Sequence, residues 1–311
     1  MKNKKILVLG STGFLGKQVT KLVKTKKNYK IFSITRGEGT DIRKYAQLKK
    51  KLSEIKPDAI INAAGHVGNV HYVTKNAANV INDNIQMALN LYRVVSEVCP
   101  KAKIINPFGN CSYPGEADIQ KESEWQNGAV HDSVLAFGFV KRTQYAIAES
   151  YRKQHGIKSV NWIVCNPYGP EDHINLNKMH ALNGIMIRMM EAKKKGDEEF
   201  EIWGTGKPIR EWLYIEDAAK ILFHSIDNVD EQTHPVNVAQ KRGYSIAQIA
   251  KIVAKQLNYP VKFVFNTKYQ DGAPIKIMDN KLFKNKYPKF KFTPLEEGIK
   301  TTIKHFQKIL K

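Results

Sequence analysis

The chain opens on a short apolar run, Ile6-Leu7-Val8-Leu9, stopped by a glycine turn and followed by an amphipathic stretch to Val23. A short apolar run bounded by turn signals predicts a buried strand, and the stretch after it a helix. The alternation then repeats. Residues 29–35 predict a strand, 48–55 a helix, and 59–61 a strand entered through the Pro57-Asp58 turn. A long helix over 76–98, a strand around Ile104-Ile105, a second long helix over 133–155 and a fifth strand over 160–165 follow. Strands that are apolar throughout belong to a parallel sheet covered on both faces, with right-handed crossovers.

Beyond Asn166 the pattern loosens. Helices over 181–195, 216–227 and 245–257 mix with short strands over 200–203, 236–238 and 261–265. Ser245 with Gln248, and Thr293-Pro294 with Glu296, read as capping boxes at helix starts. The expectation is an α/β chain. Residues 1–166 build a doubly wound parallel sheet, and residues 167–311 a smaller α+β lobe woven onto it, with segments free to interleave.

Composition changes this picture little. The 311 residues suffice for one large or two smaller domains, and 42% hydrophobic with 25% charged is an ordinary globular balance. No apolar run reaches the roughly 20 residues of a membrane helix. The basic start runs straight into a strand-length apolar run without a cleavage site, which reads as cytoplasmic and not as a signal peptide. Cys99, Cys111 and Cys165 have no metal-like spacing and fit a reducing compartment. The net charge of +21 raises nucleic acid as a partner, but the lysines are dispersed and no nucleic-acid-binding signature accompanies them. No nucleic-acid, membrane or metal partner is expected.

The first chemistry lies in Gly10-Ser-Thr-Gly13-Phe-Leu-Gly16, placed between a strand and a helix. Gly10 permits a tight turn, Gly13 lets backbone N–H groups approach a pyrophosphate, and Gly16 lets the helix pack close to the sheet. Thr12, Phe14 and Leu15 complete this dinucleotide turn. At the end of the second strand, Thr35-Arg36 stands where a ribose-binding acid is usual, and an arginine there can pair with a 2′-phosphate. The expected cofactor is therefore NADP, with NAD as the alternative. Asp41-Ile42 is expected near the adenine.

Further segments carry a resemblance. Asn62-Ala63-Ala64-Gly65-His66-Val67-Gly68, Cys111-Ser112-Tyr113-Pro114, Asn166-Pro167-Tyr168-Gly169-Pro170, the run from Lys207 to Trp212 and the run from Asp271 to Lys276 occur in order along nearly the whole chain. Together they resemble the extended short-chain dehydrogenase/reductases, and more narrowly the 3,5-epimerase/4-reductases of 4-keto nucleotide sugars typified by GDP-L-fucose synthase. The resemblance implies a Rossmann-type fold and a GDP-linked sugar substrate. It also implies that Asn62, Ala63 and Ala64 line the cofactor's ribose side and that Lys141 holds the nicotinamide ribose. Asn166, His180, Trp203, Arg210 and Lys276 would grip the nucleotide sugar. For Arg210, a guanidinium also matches a diphosphate geometrically, against the alternative of a salt bridge to Glu211 or Asp217.

The resemblance makes Cys111 and His180 an epimerisation pair. A C–H beside a ketone is acidified because the carbanion delocalises into an enolate. One group removes that proton and another returns it from the opposite face, work that a thiolate and an imidazole can do.

Two positions depart from the pattern. The tyrosine expected four residues before Lys141 is Phe137, and the helper serine aligns with Gly109. Phenylalanine has no hydroxyl to give or take a proton. Asn110 or Ser112 is a partial substitute for the serine, while Tyr145, one turn past Lys141, is expected to point elsewhere. Three explanations stay open: an engineered Phe137, an epimerase that no longer reduces, or a protein that binds dinucleotide and nucleotide sugar without catalysis. The two long helices also predict a homodimer, with Leu89, Tyr92, Val140 and Ile147 as candidates for its face.

Overall fold

The computed structural model describes residues 3–175, 178–232 and 234–310. The first half runs β1 (Lys4–Leu9), α1 (Phe14–Lys24), β2 (Tyr29–Ile34), α2 (Tyr45–Ile55), β3 (Ala59–Asn62), α3 (Val70–Lys75), α4 (Ala77–Val98), β4 (Lys103–Gly109), α5 (Leu135–His155) and β5 (Ser159–Val164). The second half runs β6 (Asn166–Tyr168), α6 (Ala181–Lys195), β7 (Glu199–Trp203), β8 (Ile209–Tyr214), α7 (Ile215–Asn228), β9 (Val236–Val238), β10 (Gly243–Ser245), α8 (Ile246–Gln256), β11 (Lys262–Asn266), β12 (Ile275–Lys276), α9 (Lys281–Lys286) and α10 (Leu295–Ile309).

The main sheet has six parallel strands in the order β2-β1-β3-β4-β5-β9. Strand order reverses between β1 and β3, and a doubly wound sheet opens a ligand crevice at such a point. Alternate residues of β1 explain the two covered faces. Ile6 and Val8 pack with Val19 and Val23 of α1 and with Ile221 and Leu222 of α7. Leu7 and Leu9 pack with Leu48 and Leu52 of α2 and with Leu91 and Val95 of α4. Each such fully buried aliphatic contributes about 1.5–3 kcal/mol.

The expected boundary at Asn166 is crossed. β9 returns to pair with β5, and α7 joins the α1 face; Val236 and Val238 pack into that core, while the buried Asn237 between them accepts from the Tyr113 hydroxyl and donates to the Gln120 and Asp279 carbonyls. The second lobe has its own core, in which α6, α8 and α10 cover β7 and β8. There β8 collects β6, β10 and β12, and β7 pairs with β11.

Ser245 and Gln248 form the expected capping box. Thr293 does not. Its N–H and hydroxyl donate to the buried carboxylate of Asp217 instead, and Pro294 starts α10 without a side-chain cap. Two candidates for the dimer face are also internal. Val140 is fully buried, and the Tyr92 hydroxyl bonds Ser159 Oγ and accepts from Asn106 Nδ2, each at 2.9 Å. Ile147 packs partly against the core of the α2/α4 face, and only Leu89 of the four is exposed.

Candidate active site

The glycine turn is built as its spacing requires. Gly10 has φ +74°, and a Cβ there would stand 2.7 Å from Ala63 O and Ala64 N, the start of the loop after β3. A Cβ on Gly16 would lie 2.0 Å from Gly10 O. A side chain on Gly10 would push the turn off the loop after β3, and one on Gly16 would push the start of α1 off the turn itself. Gly13 caps α1 without a side chain, and the first turn of α1 holds no acid, so its N-terminal dipole faces an open turn. This cradle fits a dinucleotide pyrophosphate. Thr12 is exposed and Leu15 half-buried beside it.

Around that turn, Arg36 is exposed in a short 3₁₀ turn after β2, capped by Thr35, and makes no ion pair among the described residues. Arg43 does pair, with Asp41 at 2.6 Å and Asp83 at 2.9 Å. The hydrogen bond from Arg43 holds the Asp41 carboxyl below its ordinary range despite partial burial. The side chain of Ile42 sits in the core. Asp41 is thus engaged by Arg43 while remaining partly exposed, and Ile42 is buried. Asn62 donates to Asn106 at 3.1 Å, and Asn106 in turn donates to Asn161 at 2.9 Å, a polar ladder across β3, β4 and β5.

A second group of residues gathers where β4 ends. Cys111 sits in a 3₁₀ turn over 110–112. A Cβ on Gly109 would meet Cys111 Sγ at 3.1 Å and the Phe137 ring at 3.8 Å, so the missing serine, the missing tyrosine and the thiol share one corner. The Lys141 ammonium lies 5.1 Å from the centre of the Phe137 ring and donates to Gln144 Oε1 at 3.1 Å. Burial lowers Lys141 to about 8, and burial also lowers Lys276 to about 8. Burial raises the Cys111 thiol, while the positive charges of Lys276 and Lys141 act the other way.

Two residues that the sequence reading missed fix this corner. Gly138 lets α5 approach: a Cβ there would stand 2.6 Å from Cys111 O. Arg142 donates to the carbonyls of Ser112, Gly128 and Trp125 at 2.8, 2.8 and 3.0 Å, pinning the loop over the helix. Ser112 spends its hydroxyl on Gly109 O at 2.8 Å and so does not replace the serine. Asn110 is buried with its Nδ2 unbonded among the described residues. Tyr145 turns to Trp125 and His234.

His180 comes from the other lobe, just before α6. Its ring packs on Phe14 of the glycine turn at 4.9 Å, and its Nδ1 faces the Asp172 carboxylate. The remaining candidates line the second lobe. Lys276 and Arg210 are register partners on β12 and β8, and burial lowers Arg210 to about 10. Arg210 forms no salt bridge to Glu211 or Asp217. Glu211 is buried and accepts backbone N–H groups from Gln240, Lys241 and Met278, while Asp217 holds Lys220 and Thr293. Asn166 gives its amide to Glu211 O at 2.8 Å, tying β6 to β8. Trp203 is 43% exposed, stacked on Tyr269 at 4.8 Å with the Arg188 guanidinium 4.2 Å from its ring.

The family model for the NAD dependent epimerase/dehydratase family matches residues 6–239. The chain belongs to that family. It is 27% identical to a GDP-L-fucose synthase of Dictyostelium discoideum, over 97% of this chain and 94% of the relative. It is 29% identical to a GDP-L-colitose synthase of Yersinia pseudotuberculosis, over 97% of each. Among solved structures, a GDP-L-fucose synthetase of Naegleria fowleri bound to NADP superposes with TM-score 0.85 at 28% identity, over 100% of this chain and 96% of that one.

Proposed function

We propose that this protein is a nucleotide-sugar-modifying enzyme that epimerises carbons flanking the ketone of a GDP-linked 4-keto sugar, with NADP(H) bound in the glycine cradle. The observation that carries the reading is the corner at the end of β4, where Gly109, Cys111 and Phe137 meet with the Lys141 ammonium over the Phe137 ring, together with the packing of His180 on Phe14 of the glycine turn. The relatives named above, and the one solved with NADP bound, support both the substrate class and the cofactor.

Gly10, Gly13 and Gly16 would hold the pyrophosphate, Arg36 a 2′-phosphate, and Lys141 the nicotinamide ribose. Bound NADPH supplies a hydride; the side chains of this chain handle protons. The Cys111 thiolate would take the proton beside the ketone, giving an enolate and a thiol. The protonated His180 imidazole would return a proton to the opposite face, leaving neutral imidazole. Lys141 and Lys276 favour the thiolate, offsetting the burial that opposes it. Arg210 and Lys276 would face the diphosphate, and Trp203 the nucleotide. The residue sets interleave: β1–β5 with α7 and β9 would carry the dinucleotide, and the rest the sugar nucleotide.

The reduction half of the chemistry lacks its hydroxyls at Phe137 and Gly109. We infer that proton exchange, and not hydride transfer, is the main activity. Incubation with a GDP-4-keto sugar in D₂O should place deuterium at the carbons flanking the ketone, with NADPH consumption slower than exchange. No deuterium uptake refutes the epimerase reading.

A homodimer through the exposed edge of α4 and α5 is part of the same proposal. Ile81, Leu89, Leu135 and Phe139 are 38–50% exposed there. The three cysteines are free thiols, which supports a cytoplasmic setting. No helix among the described residues is long and apolar enough to cross a membrane.

A further inference from the structure

The carboxylate of Asp172 has no exposed surface and is surrounded by N–H donors. It accepts from the backbone N–H groups of His173 and His180, both at 2.9 Å, and from Asn183 Nδ2 at 2.8 Å. His180 Nδ1 lies 3.2 and 3.1 Å from its two oxygens. Asn183 is itself fixed: its side chain exchanges both hydrogen bonds with the backbone of Gly169, each at 3.1 Å.

Burial pushes Asp172 up, but the hydrogen bond and charge of His180, with the backbone and Asn183 donors, leave it below the ordinary carboxyl range. An ionised carboxylate only accepts hydrogen bonds. The hydrogen between the two groups therefore belongs to His180 Nδ1. In the neutral ring this leaves Nε2 as a bare lone pair, and Nε2 has no partner among the described residues. Phe14 packs against the ring, the two centroids 4.9 Å apart.

We propose that Asp172 is a positioning residue for proton transfer at His180: its carboxylate sets the imidazole tautomer and leaves Nε2 as the reacting nitrogen. Asp172 itself touches no substrate. The inference rests on the exchange activity proposed above. It concerns which nitrogen acts, a separate matter from whether exchange occurs.

The test has two parts. In ¹⁵N-labelled full-length protein, two-bond ¹H–¹⁵N correlations, assigned with His180→Gln, should show neutral His180 protonated at Nδ1. The Nε2–H tautomer overturns the proposal without any variant at position 172. In deuterium wash-in, Asp172→Asn should lower kcat on the order of 10²-fold, with KM and dinucleotide affinity held within about twofold. Added to His180→Gln, the same substitution should cost nothing more. An unchanged kcat for Asp172→Asn, or a full additional loss in the double variant, overturns the positioning role. If Asp172→Asn does not fold, the tautomer of the unaltered protein decides. If the unaltered protein exchanges no deuterium, the function reading fails, and the tautomer still judges Asp172.

Discussion

A methyl group on Gly109 would stand 3.1 Å from the sulfur of Cys111, tighter than an ordinary carbon–sulfur contact. Gly109 therefore leaves the thiol room that a serine would occupy. Gly109→Ser should slow deuterium wash-in several-fold by crowding that sulfur, even while it returns a hydroxyl. Phe137→Tyr should act in the other direction on the other step. With a hydroxyl beside Lys141, NADPH oxidation by the 4-keto substrate should rise on the order of 10²-fold, measured as loss of absorbance. No increase would mean that the hydride step is blocked elsewhere. At the adenosine end, Arg36→Ala should weaken NADPH by about 1–2 kcal/mol and leave NADH unchanged, measured by calorimetry with both. These three positions are legible in the sequence because each is a residue type read against a motif. Asp172, Arg142 and Gly138 are not: their roles come from carbonyls and carboxylates brought in from distant loops.

Elements show the same division. The glycine turn, β1 and α1 follow from local rules, and Gly16→Ala tests them. Its Cβ would overlap Gly10 O, so the variant should lose dinucleotide binding by at least an order of magnitude, read by fluorescence titration. The strands β8 and β12 escaped the reading because Ile209–Tyr214 mixes charged and apolar residues without a period and Ile275-Lys276 is too short to show one. The capping pattern at Thr293 failed for a different reason. A buried carboxylate, Asp217, outbids the helix for its hydroxyl, which is tertiary structure overriding a local preference.

Lys141 and Lys276 give this scale a pH signature. Their folded values near 8 lie below the ordinary lysine value of 10.5. Between those values each of these two lysines holds more proton in the unfolded chain than in the folded one, so their contribution to stability rises with pH from about 8. The thiols of Cys99, Cys111 and Cys165 and the buried tyrosines, all raised by burial, contribute in the opposite direction. The lysine part is therefore read as a difference: in urea unfolding, the stability of the unaltered protein relative to a variant with either lysine replaced by Met should rise between about pH 8 and about pH 9.5.

For the whole molecule, the doubly wound architecture could be anticipated from alternation alone. The placement of β9 could not, because a three-residue run, Val236-Asn237-Val238, carries no address. The exposed apolar side chains on α4 and α5 make the association state testable. Leu135→Glu combined with Phe139→Glu should convert a dimer to a monomer in light scattering, with the far-ultraviolet spectrum unchanged. A monomeric unaltered protein would end that proposal. Tyr92 and Val140, being internal, are the wrong positions for such a test.

The late return of β9 also bears on synthesis at the ribosome. A nascent chain that has emerged through Val164 holds five strands and an open β5 edge. The partner of that edge, Val236–Val238, is still untranslated, as is α7, which shields Val19 and Val23. During that interval the chain carries an unpaired strand and a bare apolar face, both of which invite association between chains. Messages truncated between these two points should yield aggregates and not a separable dinucleotide-binding fragment, whereas termination beyond Val238 should spare the sheet.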